Sequence, residues 1–398
     1  MRVVSFIISM FFALTVSAQS DFDIAQKFMS KKGVKLSQRS TTRTDMPYSI
    51  FNGENGVGFA IVKNKMVVGY STNGQIGEIP PQLKEMLEGG TRYADEYPEE
   101  FVPRNLSPIG PLVRCQWGQG YPYNEKCPTI GGKHCLTGCC ATAVAQLLYY
   151  YRLPYGCKEY GEGCISGVDE QYEHEYLPAV KFDYDNMLET YRDGNYTQKE
   201  VDAVATLMRY CGRYALSKYG LNETLGVIGP FPDDFDVEIH DELVYYFSFD
   251  ESILYGDSEI TDDGILAILD EELEAKRPVL VLGGEDRVIG HAYLIDGRDS
   301  EGLYHINWGW YGDGNGYYIV SRELYKKYGP INGIGNFCKY LNLLAVHGSL
   351  EYTSIKSITN NSKKKDKVYN LQGMVVGDTL DGLPRGVYIQ NGKKYMVK

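Results

Sequence analysis

Residues 137–154 read TGCCATAVAQLLYYYRLP, a run that is apolar on most faces. Its alanines and leucines are strong helix formers, so the run predicts a helix buried in a protein core. Pro154 ends this helix, because proline cannot make the backbone hydrogen bond that a helix interior requires. Thr137 and Gly138 mark the start of the helix, which places Cys139 in its first turn.

The position of Cys139 suits a nucleophile. The partial positive charge at a helix N-terminus stabilises a thiolate, which is the reactive form of cysteine. Cys140 follows directly, so the sequence offers two candidate thiols at this place. The alternative interpretation is that both cysteines are ordinary core residues or halves of disulfides.

A candidate general base lies further along the chain, in the segment PVLVLGGEDRVIGHAYLIDG at 278–297. It predicts two strands, Val279 to Leu282 and His291 to Asp296, on either side of a glycine-containing turn. Gly290 allows close backbone approach, and a histidine that opens an apolar strand can present its imidazole to a facing helix. A buried structural histidine is the alternative for His291 taken alone.

The segment YHINWGWYGDGNGYY at 304–318 supplies candidates for a third catalytic member. Asn307 is predicted to accept a hydrogen bond from the imidazole and fix its tautomer, as the third group of a triad does. Trp308 is predicted to shield that bond from water. His305 lies two positions before Asn307, on the same face of a strand, and is a rival base. The glycine-flanked start of its strand favours His291.

A glycine-rich segment, QWGQGYPYN at 116–124, precedes the predicted helix. Acyl transfer needs hydrogen-bond donors aimed at the oxyanion that develops on the substrate. The side chain of Gln119 is a candidate donor, joined by the backbone N–H of Cys139.

Four ordered motifs resemble the streptopain family of bacterial cysteine peptidases, within the papain superfamily. The matching sequences are WGQ-x-x-PYN at 117–124, TGC-x-ATA-x-AQ at 137–146, GHAY at 290–293 and H-x-NWGW at 305–310. The N-terminal region resembles the pro-segment of that family through FAIV at 59–62, GYS at 69–71 and the stretch at 81–87. The resemblance therefore covers most of residues 21 to 347.

The resemblance implies an α+β chain with a papain-like, two-lobed catalytic domain, one lobe helical and the other an antiparallel β lobe. It implies an endopeptidase that is made as an inactive precursor and prefers hydrophobic side chains near the scissile bond. The roles of oxyanion donor, nucleophile, base and orienting residue fall in chain order on Gln119, Cys139, His291 and Asn307. Trp308 is expected beside the histidine, in contact with substrate.

Two other functions use the same residues differently. One is an amidase or transglutaminase-like enzyme, which product analysis would distinguish from a peptidase. The other is a binding protein on an inactive papain scaffold, in which Cys139 would not react with thiol reagents. The peptidase mechanism needs no metal or cofactor, and the cysteines lack the paired CxxC spacing of a structural zinc site.

Composition and the N-terminal segment restrict the classes of binding partner and the cellular location that we expect. The chain has 398 residues, with 40 Lys and Arg against 52 Asp and Glu, so its net charge of −12 argues against nucleic-acid binding. An apolar stretch from Val3 to Val16, followed by Ser17 and Ala18, predicts a signal peptide and an exported protein, secreted or on the cell surface. The stretch is short for a transmembrane helix. Most of the nine cysteines are expected to form disulfides in such a protein.

We predict a monomer whose partners are protein or peptide substrates and its own pro-domain. A helix at 22–31 and a hairpin formed by residues 58–62 and 66–70 are expected near the N-terminus, and a second helix at 82–88. A proline-containing, exposed linker at 98–111 suits activation by a cut between Glu99 and Leu112, with Arg104 an inviting point. The predicted divisions are a signal peptide at 1–18, an inhibitory pro-domain at 19–104, the catalytic domain at 105–348 and, at 349–398, a linker with a small all-β module that resembles bacterial sorting modules.

Overall fold

The computed structural model describes most of the chain between residues 21 and 348 and short segments near the C-terminus. The described ranges are 21–38, 48–63, 65–74, 76–77, 104–165, 173–227, 241–255, 262–284, 290–320, 340–348, 368–369, 375–377, 379, 382–383, 386–390 and 393–397. The predicted signal peptide, the predicted helix at 82–88 and residues 98–103 of the predicted linker lie outside these ranges.

A mixed α/β fold is built around one large antiparallel sheet. The strands are β1 (Tyr48–Asn52), β2 (Phe59–Lys63), β3 (Met66–Ser71), β4 (Thr129–Ile130), β5 (Lys133–His134), β6 (Tyr160–Ile165), β7 (Glu173–Leu177), β8 (Glu251–Tyr255), β9 (Val279–Gly284), β10 (Gly290–Arg298), β11 (Tyr304–Asn307), β12 (Gly316–Tyr318), β13 (Tyr340–His347), β14 (Val368–Tyr369), β15 (Val375–Gly377), β16 (Gly386–Gln390) and β17 (Lys393–Val397). Nine of them form the sheet, in the order β1-β2-β3-β12-β11-β10-β9-β13-β8. Strands β4 and β5 pair with each other, as do β6 and β7.

Five α-helices surround the sheet in the described ranges: α1 (residues 21–30), α2 (Cys139–Tyr151), α3 (Gln198–Tyr214), α4 (Asp241–Phe247) and α5 (Asp262–Glu274). Helix α2 follows Gly138, whose φ of 84° is a conformation that favours glycine, and it ends at Arg152 in a left-handed conformation. Helix α3 begins with a capping box between Thr197 and Glu200. The predicted helix around residues 137–154 is therefore present, with Cys139 as its first residue.

Two large hydrophobic cores pack against the sheet. One joins α2 and α3 to strands β9 and β10 through buried residues such as Leu147, Met208 and Leu294. The other lies between the sheet and α5, through residues such as Leu269 and Ile306. Because α2 packs directly on β10, its N-terminus is held beside the first residues of that strand.

The N-terminal residues continue the same sheet. The predicted helix and hairpin near the N-terminus appear as α1 and as β2 with β3. Strand β3 pairs antiparallel with β12, where Gly69 faces Tyr318 and Tyr70 faces Tyr317. A third core joins residues of this unit to Leu303, which lies between β10 and β11.

The described half of the predicted exposed linker, residues 104–111, is hydrogen-bonded to residues 298–301. The backbone N–H of Arg104 donates to the carbonyl of Glu301, and that of Ile109 donates to the carbonyl of Arg298. The guanidinium of Arg104 also pairs with Asp270. Most side chains here are exposed, as expected, but the backbone is hydrogen-bonded to the end of β10 and the turn that follows it.

The expectation of disulfides is wrong for six cysteines whose side chains the structure describes. None of the six is in a disulfide, and all are buried except Cys139, which is half-buried: Cys115, Cys127, Cys139, Cys140, Cys157 and Cys211. Several of them fill the helical core as small apolar residues, which accounts for their burial without any covalent bond.

The remaining described segments are at the C-terminus. Strands β14 to β17 form a separate four-stranded antiparallel sheet in the order β15-β14-β16-β17. Among the described residues, no helix is both long and apolar enough to cross a membrane. Within the same residues, no cluster of three or more His, Cys, Asp or Glu side chains is arranged to bind a metal ion.

Candidate active site

Cys139 lies at the N-terminus of α2, half-buried, while the neighbouring Cys140 is only 2% exposed. The turn before the helix is fixed by hydrogen bonds from the backbone N–H and the hydroxyl of Thr142 to the carbonyl of Gly138. The sulfur of Cys139 is thus presented at the end of a buried helix, where the helix dipole favours negative charge.

Three donors surround the sulfur of Cys139. The thiol of Cys140 donates a hydrogen bond to it, the imidazole of His291 bonds to it and adds its charge, and the backbone N–H of Ala292 points at it. These contacts, the Cys140 bond foremost, hold the pKa of the Cys139 thiol well below its ordinary value, although burial opposes them. These contacts therefore favour the thiolate form of Cys139.

The two adjacent thiols differ in their chemistry. The hydrogen bond to Cys139, together with burial, raises the pKa of Cys140 well above its ordinary value. Cys140 therefore keeps its proton and acts as a donor. Position also favours Cys139 as the thiol that a substrate reaches, because Cys139 is half-buried whereas Cys140 lies in the helical core.

His291, the second residue of β10, is buried and faces Cys139. Its Nε2 atom lies 2.8 Å from the backbone carbonyl oxygen of Trp308. A carbonyl only accepts, so Nε2 carries the proton of this bond and Nδ1 is left to exchange a proton with Cys139. The Trp308 carbonyl fixes the imidazole tautomer and orientation, as the third group of a catalytic triad does.

Asn307, the predicted orienting residue, makes its described hydrogen bonds to groups other than the imidazole. Its Nδ2 atom donates to the carbonyl of Cys115 at 2.8 Å, and its Oδ1 atom accepts from the backbone N–H of Gly309 at 3.2 Å. The chain turns immediately after β11, where Gly309 has a φ of 73°. This turn brings the carbonyl of Trp308, rather than the Asn307 side chain, to the histidine.

Two tryptophans pack around His291. Trp310 stacks on the imidazole with ring centroids 4.6 Å apart, while the Trp308 ring is 6.1 Å away and tilted. Sequence reasoning chose Trp308 and missed Trp310, although both belong to the same NWGW motif. Trp308 is fully buried in this chain, so its contact with substrate stays a prediction.

Gln119 is half-buried on the segment that faces the start of α2. Its backbone carbonyl accepts from the N–H of Thr137 at 3.0 Å, which ties this segment to a residue two positions before Cys139. The predicted oxyanion donor and nucleophile are thus brought to the same end of α2.

His305, the rival base, is directed elsewhere. Its Nδ1 atom lies 2.6 Å from Oδ1 of the buried Asp296, and its ring packs edge-on against Tyr317. Asp296 also accepts from the backbone N–H of Val113. The pair forms a buried structural link between strands rather than a partner for Cys139.

A thiolate, an oriented imidazole and a nearby amide side chain are the components of thioester-forming acyl transfer. Residues 117–318 match the Peptidase C10 family. Streptopain of Streptococcus pyogenes is 28% identical over 326 residues, covering 73% of this chain and 78% of that protein. The thiol protease/hemagglutinin PrtT of Porphyromonas gingivalis is 25% identical over 342 residues, which is 75% of this chain and 38% of that protein.

Two solved structures from Prevotella intermedia share the fold. A prointerpain A fragment superposes with a TM-score of 0.59 at 24% identity, over 79% of this chain and 99% of the fragment. Active interpain A cysteine protease gives 0.50 at 27% identity, over 62% and 97% of the two chains. The family match and the relatives agree with the site geometry, and the chain belongs to the Peptidase C10 family of cysteine endopeptidases.

Proposed function

We propose that the chain is the zymogen of an exported endopeptidase, with Cys139 as nucleophile and His291 as general base. The observation that carries this proposal is the contact of the Cys139 sulfur with the His291 imidazole and the Ala292 N–H at the start of α2.

The proposed reaction is a two-step acyl transfer. The Cys139 thiolate attacks the peptide carbonyl, and the oxyanion is stabilised by the side chain of Gln119 and the backbone N–H of Cys139. His291, as imidazolium, protonates the leaving amine and then removes a proton from water. That water hydrolyses the thioester and regenerates the thiolate.

The N-terminal unit is proposed to act as an intramolecular pro-segment. The β3–β12 pairing supports this role, because through it the N-terminal unit shares one sheet with β10, the strand that carries His291. Since the backbone of residues 104–109 is bonded to residues 298–301, a cut there must first break those bonds. We therefore place the activating cut at the N-terminal end of the interval from Glu99 to Leu112.

The remaining features of the proposal come from the sequence. They are export by the signal peptide at residues 1–18, a pro-domain at 19–104, a catalytic domain at 105–348 and a sorting module within 349–398. A preference for hydrophobic side chains on the N-terminal side of the scissile bond, and a monomeric state, belong to the same proposal.

The test is the intact mass of the processed protein after reaction with the cysteine-peptidase inhibitor E-64, in wild type, Cys139→Ala and Cys140→Ala. We expect one covalent adduct on wild type and on Cys140→Ala, and none on Cys139→Ala. An adduct that persists on Cys139→Ala would move the nucleophile to another thiol. If no variant is labelled and the processed wild type cleaves no peptide, the active-site assignment is wrong.

A further inference from the structure

The loop between β11 and β12 has an unusual residue at one position. In this segment, residues 309–315, which we call the glycine loop, Gly309, Gly312 and Gly314 have positive φ angles. Tyr311 also has a positive φ, 57°, where glycine is ordinarily found. A left-handed backbone conformation is unfavourable for tyrosine, so the contacts of Tyr311 must stabilise it.

Those contacts are made with the segment that carries Gln119. The Tyr311 hydroxyl accepts from the backbone N–H of Gly120 at 2.6 Å, and the Tyr311 backbone N–H donates to the carbonyl of Trp117 at 2.9 Å. We call residues 117–120 the Gln119 loop. The two bonds hold this loop at its first and last residues, on either side of Gln119.

The Gln119 loop is shaped to receive the ring. A Cβ atom placed on Gly118 would lie 2.4 Å from Cζ of Tyr311, and one on Gly120 would lie 2.6 Å from its hydroxyl oxygen. Both distances are far below a van der Waals contact, so any residue with a side chain would displace the tyrosine. The glycines beside Gln119 therefore accommodate Tyr311.

We propose that Tyr311 is a positioning residue that holds the Gln119 loop in place for oxyanion stabilisation. The inference rests on the role proposed above for Gln119. A donor must lie at hydrogen-bond distance from the oxyanion, and a shift of an ångström removes much of its effect.

The same stretch of chain also serves the base. Trp308, just before the glycine loop, supplies the carbonyl that binds Nε2 of His291, and Trp310, inside the loop, stacks on the imidazole. Tyr311 follows Trp310 directly. One short loop thus links the orientation of the base to the position of the oxyanion donor, across nearly two hundred residues of sequence.

The test compares Tyr311→Phe, which removes only the hydroxyl, with Tyr151→Phe as a control. Tyr151 lies in the same core, and its hydroxyl donates to the backbone carbonyl of Val346 at 2.8 Å, away from the Gln119 loop. Each full chain is converted by the same limited proteolysis. We expect Tyr311→Phe to lower kcat by about tenfold with KM nearly unchanged, and the control to keep wild-type kcat.

A second readout distinguishes positioning from general damage. Alkylation of Cys139 by iodoacetamide is a displacement at carbon and builds no oxyanion. Its rate should be the same in Tyr311→Phe and wild type, because the thiolate and the imidazole are intact. Gly118→Ala, which displaces the ring by its added Cβ, should reproduce the pattern of lowered kcat with normal alkylation.

Gln119→Ala completes a double-mutant cycle. We expect it to lower kcat by about a hundredfold, and Tyr311→Phe to add nothing in that background. If Tyr311→Phe alone leaves kcat unchanged while Gln119→Ala lowers it, the inference about Tyr311 is wrong and the proposed function stands. If Gln119→Ala has no effect on kcat, the oxyanion role in the proposed function fails, and the inference fails with it.

Discussion

The Nε2 atom of His291 is bound to the backbone carbonyl of Trp308, at 2.8 Å. A backbone carbonyl is present whatever side chain the residue carries, so the orientation of this histidine depends on the path of the chain rather than on one side chain. That path is fixed after β11 by the turn at Gly309 and by the hydrogen bond from Trp308 N–H to Oδ1 of Asn315.

Asn307→Ala should therefore affect stability more than chemistry. The substitution leaves the buried carbonyl of Cys115 and the buried N–H of Gly309 without their partner, which costs about 2–3 kcal/mol of unfolding free energy. Urea unfolding measures this loss, and the pH dependence of kcat/KM at a temperature where the variant is folded measures the chemistry. A variant of normal stability whose kcat falls by orders of magnitude would restore Asn307 as the orienting residue.

Cys140→Ala should change the pH at which the nucleophile ionises. The Cys140 hydrogen bond is the largest cause of the lowered pKa of Cys139, so its removal raises that pKa. In a plot of the Cys139 alkylation rate against pH, the rise on the acid side (the acid limb) should move to higher pH. The plateau rate at alkaline pH should be unchanged. Cys140→Ser supplies another donor and should move the limb back.

Cys211→Ala is the matched control for that experiment, because Cys211 is a buried thiol of the same helical core that does not act on Cys139. It should lower stability without shifting the acid limb. An unshifted limb in Cys140→Ala would show that the Cys140 thiol does not stabilise the thiolate.

Gly69→Ala should loosen the N-terminal unit. A Cβ on Gly69 would lie 2.6 Å from the ring of Tyr318, at the point where β3 pairs with β12. Overpacking of this kind costs about 1–3 kcal/mol, so amide hydrogen exchange in β3 should accelerate by about tenfold or more. The measurement uses the Cys139→Ala background, which prevents self-cleavage.

Gly77→Ala adds the same methyl group to the N-terminal unit at a position with no neighbouring atom within 4 Å. It should leave exchange in β3 unchanged. Equal amide exchange rates in both variants would mean that the β3–β12 pairing accommodates the added methyl group. The pairing would then not determine the stability of the N-terminal unit.

Lys63→Met should stabilise the chain at neutral pH. Burial lowers the pKa of Lys63, at the end of β2, to about 8. Between pH 8 and the ordinary lysine value near 10.4, the unfolded chain binds a proton that the folded chain does not, so stability rises with pH across this window. Below pH 8 the folded protein bears the full cost, about 3 kcal/mol, and methionine removes it.

Urea unfolding of both proteins at pH 7, 8 and 9 measures how the free energy of unfolding changes with pH and so tests this prediction. The advantage of Lys63→Met over wild type should be largest at pH 7 and shrink above pH 8. An advantage that is constant with pH would mean that methionine acts through packing and not through the charge.

Local signals in the sequence predicted the parts of the site that depend on them. The apolar run before Pro154 and the glycine at 138 are sufficient to place Cys139 at a helix N-terminus, and Gly290 with the apolar run after it places His291 at the start of a strand. The hairpin of β2 and β3 follows from two short apolar runs separated by a few polar residues.

The parts that were missed depend on the path of the chain between distant residues. Spacing along the sequence cannot distinguish the side chain of Asn307 from the carbonyl of Trp308, because the turn at Gly309 decides which of them reaches the histidine. Likewise, the prolines near residue 104 indicated a loop, but not that its backbone would pair with residues 298–301.

The pairing of β3 with β12 has a consequence for the enzyme after activation. If the pro-segment with β1 to β3 is removed, β12 becomes an edge strand of the sheet, and its unpaired backbone N–H and C=O groups are accessible to strands of other molecules. Long, flat edge strands promote aggregation, whereas very short edge strands are protected from it. Strand β12 has only three residues, Gly316–Tyr318, so the edge that the proposed activation would uncover is too short to pair extensively with a strand of a second chain.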